Sequence, residues 1–102
     1  MAQIIWTEPA LEDLDAIAVY IALDKPGAAK KLVRTVMGRV DQLALFPQSG
    51  GKPRDLAGTP YRQMVVPPLR LFYRQSGENV VIIHVMRSEQ QFRLRDVVER
   101  EW

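Results

Sequence analysis

Residues 61–92 read YRQMVVPPLRLFYRQSGENVVIIHVMRSEQQF. Three apolar runs stand here in tandem, each bounded by turn chemistry. Tyr61–Val66 reads as a strand. Pro67-Pro68 follows, and because proline lacks the N–H that a ladder needs, the pair marks a turn or an edge. Leu69–Arg74 is a second strand. Alternation puts Leu69, Leu71 and Tyr73 on one face and Arg70, Phe72 and Arg74 on the other. Ser76-Gly77-Glu78-Asn79 is a hairpin turn. Val80–Met86 is almost wholly apolar, which suits a central strand covered on both sides. The stretch therefore predicts a three-stranded antiparallel meander. Arginines recur at Arg62, Arg70, Arg74 and Arg87, so one face of the meander is expected to be basic.

Upstream of the meander the periodicity changes from two to three or four. Gln3–Trp6 is a short strand candidate rich in β-formers. Thr7 is a candidate N-cap, with Glu8 and Pro9 opening a helix. Leu11, Leu14, Ile17, Ala18 and Ile21 form its apolar stripe, with Glu12, Asp13 and Asp15 off it. The helix should stop near Leu23, ahead of Asp24-Lys25-Pro26-Gly27. A second helix starts at about Pro26 and carries Leu32, Val33, Val36, Met37, Val40, Leu43 and Ala44 at helical spacing. Its outer face holds Lys30, Lys31, Arg34 and Arg39. The short connection makes the two helices an αα-hairpin. Acidic charges on the first and basic ones on the second read as pairing and solvation rather than as a nucleic-acid surface. The hairpin must cover one face of the sheet, since its stripe has nowhere else to go. The fold class expected is α+β, in the order β-α-α-β-β-β, with a C-terminal tail or short helix from Ser88 that orders only against a partner. The far face of the sheet is left to what does not fit a core, some of the arginines included.

The 102 residues are expected to form one domain spanning 1–102. There is no cysteine, so neither a disulfide framework nor a thiolate metal site is available, which fits a reducing cytoplasm. The opening residues lack a basic leader, and no apolar run approaches the ~20 residues of a membrane span. Net charge is +2, but residues 1–50 hold five Lys/Arg against six Asp/Glu and residues 51–102 hold nine against six. The second half is the side expected to meet an anionic partner, if either does.

Few residues offer chemistry. The single histidine, His84, lies in the most apolar strand and reads as a satisfied structural residue. With one His and no Cys, no metal or cofactor is expected. Ser49-Gly50-Gly51-Lys52 is not a phosphate loop, because the Gly-x-x-x-x-Gly-Lys spacing is missing and a strand follows. The basic set Lys52, Arg54, Arg62, Arg70, Arg74 and Arg87 is the one constellation that converges in this layout. Such groups position phosphates, stabilise charge in phosphoryl transfer without a metal, or bind acidic segments of a protein. Phe72, Tyr73 and Phe92 read as core rather than as stacking platforms for bases.

Several pieces in this order resemble one family. They are Ile4-Ile5-Trp6-Thr7, the Ala-Leu-Glu-Asp-Leu-x-x-Ile-x-x-Tyr-Ile run at 10–21, and Pro26-x-Ala28-Ala29. The Leu-x-x-Phe-Pro-x-x-Gly corner at 43–50, Leu69–Arg74 and Val81–Arg87 complete them. The chain is similar to the RelE/ParE superfamily of type II toxin–antitoxin toxins. That resemblance implies a growth-inhibiting toxin neutralised by a cognate antitoxin. ParE-like members poison DNA gyrase by binding it. RelE-like members are mRNA endonucleases that act at the ribosome through basic residues and a tyrosine or histidine near the C-terminus. Lys52, Arg54, Arg70 and Arg87 fall near the RelE basic positions. Phe92 stands where the tyrosine is expected and has no hydroxyl to act as acid or base. The resemblance thus implies a ParE-like toxin with DNA gyrase as target and Arg62, Arg70, Arg74 and Arg87 as its binding residues. The ribosome and mRNA are the alternative target, and a non-toxic interaction module is the third reading.

Overall fold

In the computed structural model, which describes residues 1–101, four strands form one sheet in the order β1-β4-β3-β2. They are β1 (Gln3–Trp6), β2 (Arg62–Val66), β3 (Leu69–Ser76) and β4 (Asn79–Arg87), with α1 (Glu8–Ala22) and α2 (Pro26–Asp41) between β1 and β2. The meander is antiparallel, as expected. The first strand is not: β1 runs parallel to β4, from Gln3 opposite Asn79 to Trp6 opposite Ile82, so the whole sheet is mixed.

The helices begin and end where their caps dictate. Thr7 caps α1 by accepting from the Ala10 N–H, while its own hydroxyl and N–H both donate to the Ile82 carbonyl, at 2.8 and 3.1 Å. One residue thereby ends β1, starts α1 and ties both to the central strand. The buried stripe of α1 keeps Leu14 and Ile17 from the sequence reading but opens at Ala10 rather than Leu11. Ala10 is fully buried and Leu14 nearly so, but Leu11 is 44% exposed. Counting from Ala10 brings Asp13 onto the inner face. On α2, Ala29, Val36 and Val40 are buried, and a 3-10 turn at Gln42–Ala44 extends the helix to bury Leu43.

The sheet has a core on each side. On the helix side, Ala10, Leu14, Val36, Val40 and Leu43 pack on Leu69, Leu71, Tyr73, Val80 and Ile82. On the other side, Leu56, Tyr61, Phe72, Val81, Ile83, Met86 and Val97 form a second cluster. This corrects the expectation of an open, basic far face. The C-terminal segment needs no partner to order. It forms α3 (Arg95–Val98) and a 3-10 turn at Glu99–Glu101 against the chain's own sheet, with Val97 fully buried.

One irregularity positions the site. Phe72 pairs with His84 but Tyr73 pairs with Ile82, so β4 carries one extra residue at this point. A bulge of this kind re-aims the side chains beyond it. Ile82 and Val85 both face the helices although three residues apart, and Ile83 and Met86 both face the tail. His84 is thereby turned towards Phe72, with ring centroids 5.8 Å apart, instead of following Ile82 into the helix-side core.

Candidate functional site

β1 is too short to cover β4, and Trp6 is its last paired residue. Beyond Ile82 the edge of β4 faces α1 and the tail, and side chains do the work of the missing strand. Asp13 Oδ2 accepts from the Val85 N–H at 3.1 Å, and Arg100 Nη1 donates to the Ile83 carbonyl at 3.0 Å. The two side chains also clasp each other: Arg100 Nη1 and Nη2 reach Asp13 Oδ2 and Oδ1 at 2.6 and 3.0 Å. His84 Nδ1 lies 2.9 Å from the same Oδ2. Burial pushes the Asp13 carboxyl up, but the hydrogen bonds from His84, Arg100 and Val85 outweigh it and bring the group down to about 2. His84 is thus a satisfied, buried histidine. A groove of about 540 Å³ opens beside it, with Asp13, Ile17, Met86, Gln90 and Arg93 among its walls.

The expected basic constellation does not converge. Arg62 pairs opposite Tyr73 and donates to the Gly50 carbonyl at 2.9 Å, on the helix side of the sheet. Arg70 lies on the tail side. Its guanidinium donates twice to Gln63 Oε1, at 2.7 and 2.9 Å, and sits 5.0 Å from the Phe72 ring and 5.4 Å from Phe92. Arg74 is held by Glu101, with Nη2 to Oε2 at 2.8 Å and Nε on the other oxygen. Arg87 turns to α1, 5.2 Å over the Tyr20 ring, with Glu89 at 3.4 Å. Lys52 donates to the Thr59 carbonyl at 3.1 Å and Arg54 is exposed on a 3-10 turn, both on the loop before β2. The six groups therefore divide among both faces of the sheet and its flanking loop. Strand alternation, the hairpin register and the tail's own carboxylate keep them apart.

The aromatics serve the core and the basic groups together. Phe72 is fully buried and stacks on Phe92 at 4.7 Å, and Arg70 lies over both rings. Tyr73, also fully buried, accepts the Gly50 N–H at 2.8 Å. Burial holds its hydroxyl pKa above the usual value. Tyr61 is likewise raised, by burial and then by the Glu101 charge.

Three of these groups were not singled out from the sequence: Asp13, Arg100 and Glu101. Asp13 had a signal. It falls on the α1 stripe once the stripe is counted from Ala10, and an acid on an inner face needs a partner. The hairpin charges expected to pair with each other do not do so among the described residues. Asp13 pairs with the tail, and Lys30 and Arg34 instead rim an apolar groove on the outside of the hairpin, walled by Ala18, Val19, Ala22 and Val33. Among the described residues no three acidic, His or Cys side chains are grouped to hold a metal ion, and no helix is long and apolar enough to cross a membrane.

Comparison with known proteins agrees with the fold. The family described as the ParE toxin of the type II toxin–antitoxin system, parDE, matches residues 4–92. "Toxin RelE2" of Caulobacter vibrioides is 35% identical over 95 residues, which is 92% of this chain and all of that protein. "Putative toxin Y4kP" of Sinorhizobium fredii is 39% identical over 89 residues, covering 85% and 88% of the two chains. A chain of the chromosomal ParDE system of P. aeruginosa superposes with a TM-score of 0.73 at 26% identity, covering 85% of this chain and 96% of that one. A chain of the RelBE2 toxin–antitoxin complex of Mycobacterium tuberculosis gives 0.57 at 24% identity over 84% and 96%, which speaks to the fold alone. The match spans most of the chain, and the protein belongs to the ParE toxin family within the RelE/ParE superfamily of type II toxin–antitoxin toxins.

Proposed function

We propose that this toxin inhibits growth by binding DNA gyrase rather than by cutting RNA. The observation that carries this reading is the dispersal of its arginines. Metal-free cleavage of a phosphodiester needs several cations and a proton-transfer group around one phosphate. Here Arg62 and Arg70 lie on opposite faces, Arg74 is neutralised by Glu101, and Phe92 offers no hydroxyl. A binding toxin has no such requirement. Arg70 and Arg87, both stacked on aromatic rings, are the side chains expected to meet the target. The test is gyrase supercoiling and cleavage-complex formation with the purified toxin. Inhibition at micromolar protein that falls in Arg70→Ala and Arg87→Ala supports the reading; no effect on gyrase overturns it.

An mRNA endoribonuclease acting at the ribosome is the second reading, favoured by the relative that carries a RelE name. It is tested by cleavage of ribosome-bound mRNA, again with Arg70→Ala and Arg87→Ala as variants.

The cognate antitoxin is the second partner of the proposal. The apolar groove across α1 and α2, with Lys30 and Arg34 on its rim, suits an amphipathic helix with an acidic border. The outer edge of β2, bridged among the described residues only at Gln63 to Gly51, suits an added strand. An antitoxin segment that proves strongly basic contradicts this assignment.

A further inference from the structure

Residues 95–101 lie on the sheet as a ligand lies in a site. Val97 fills an apolar socket among Leu56, Phe72, Ile83 and Met86. One helical turn later Glu101 gives both carboxylate oxygens to Arg74, beside Tyr61. Arg100, between them, bridges Asp13 and the Ile83 carbonyl. Three receptors of different chemistry are each filled by one side chain. The backbone bonds of the segment, by contrast, are local and reach only the residues just before it: Asp96 to Arg93, Val97 to Leu94 and Val98 to Leu94. Nothing in its main chain joins the ladder of the sheet among the described residues. A segment held by side chains alone can leave without breaking the sheet.

We propose that this face of the sheet is a peptide-binding groove, occupied here by the chain's own C-terminal segment. The peptide it accepts from elsewhere carries the same chemistry: a small apolar residue followed, one turn on, by arginine and glutamate. The charges of the groove decide the class of ligand. The groove offers a carboxylate at Asp13 for the segment's Arg100 and a guanidinium at Arg74 for its Glu101, so a polyanion meets repulsion at one end where a peptide bearing both signs finds two complementary ends. The inference does not rest on the gyrase reading, because it concerns a face whose occupant the chain itself supplies.

A tethered segment competes at an effective concentration on the order of millimolar, so a free peptide binds the parent weakly. The test uses the full chain carrying Arg100→Ala and Glu101→Ala, with a labelled peptide of residues 93–101 as the probe. Amide exchange should show residues 96–98 losing protection while β3 and β4 keep theirs. The peptide should then bind the variant about tenfold or more tighter than the parent, and adding Arg74→Ala should reverse the gain. Adding Asp13→Asn should reverse it as well, because Asp13 is the receptor of the peptide's own Arg100. Equal affinity for the parent and the double variant overturns the proposal, as does equal binding of a scrambled peptide. Loss of protection in β3 and β4 in the double variant overturns it too, because the segment is then part of the core rather than an occupant of a groove.

Discussion

Replacing Gly50 with alanine tests how the loop before β2 is fixed to the sheet. A Cβ at this position would stand 2.6 Å from Tyr73 Cε1 and 2.7 Å from the Gln63 carbonyl oxygen, with the Tyr73 hydroxyl closer still. Tyr73 is fully buried and Gln63 contributes backbone, so neither gives way easily. Two costs follow. Overpacking of a filled site costs roughly 1–3 kcal/mol. Moving the loop outwards breaks the bond from Gly50 N–H to the Tyr73 hydroxyl, and a buried hydroxyl left unpaired costs roughly 1–3 kcal/mol. The two overlap, because one movement relieves the first and causes the second, so about 2–4 kcal/mol is expected. Against a total of roughly 5–15 kcal/mol for a domain this is a large share. With an m-value of about 1–3 kcal/mol/M, urea unfolding should show a midpoint about 1–2 M lower. Tyr73→Phe removes the nearest atom of the clash, so Gly50→Ala should cost less in that background, with a coupling of about 0.5 kcal/mol or more. A Gly50→Ala midpoint equal to the parent's would refute the account. Full additivity of the two substitutions would show that the hydroxyl is not the atom that matters.

Acid should remove a defined part of the stability. The Asp13 carboxyl lies at about 2 when folded against an ordinary value of 3.8, so the folded state binds fewer protons. Its contribution, roughly 2 kcal/mol, is complete above about pH 4 and is lost as the pH falls through about 2. Asp13→Asn should flatten that part of the stability–pH curve, and an unchanged slope would assign the effect to other carboxylates. Val33→Asp, in the apolar groove of the hairpin, should weaken antitoxin binding at least tenfold by titration calorimetry while leaving the urea midpoint within about 0.5 M. Phe92→Tyr places a hydroxyl where a RelE-like toxin has one. It should add no cleavage of ribosome-bound mRNA, because Arg62 lies on the opposite face of the sheet and Arg74 is held by Glu101.

Much of the fold was legible because its signals are local. Thr7 with Glu8-Pro9 marked a helix start, the α2 stripe repeated at helical spacing, and Pro67-Pro68 and Gly77-Glu78 divided the meander. What was missed depends on contacts distant in sequence. The parallel pairing of β1 with β4 is set where Thr7 meets Ile82, 75 residues on. The extra residue in β4 leaves no mark on an apolar run, so the direction of His84 could not be counted out. Leu11 looked like a stripe residue because it is leucine, and Asp13 looked exposed because it is acidic. Position on the helix overrode both, since Ala10, Leu14 and Ile17 define the buried arc and Asp13 lies within it.

The separation of the arginines, by contrast, could have been worked out from the hairpin alone. A two-residue connection at Pro67-Pro68 places Val66 opposite Leu69 and, stepping outwards, Met64 opposite Leu71 and Arg62 opposite Tyr73. Residues that pair across an antiparallel ladder share a face. Arg62 must then join Tyr73, on the face opposite Arg70 and Arg74, whatever the tertiary structure. The meander can therefore have a basic face or a face containing Arg62, but not one face with all of these arginines. Reversing the assignment needs a one-residue slip of β2, which would turn Met64 and Val66 out of the helix-side core. Burial of those two side chains is worth roughly 1.5–3 kcal/mol each. The core thus fixes the register, the register fixes which way each arginine points, and the charge pattern follows from packing.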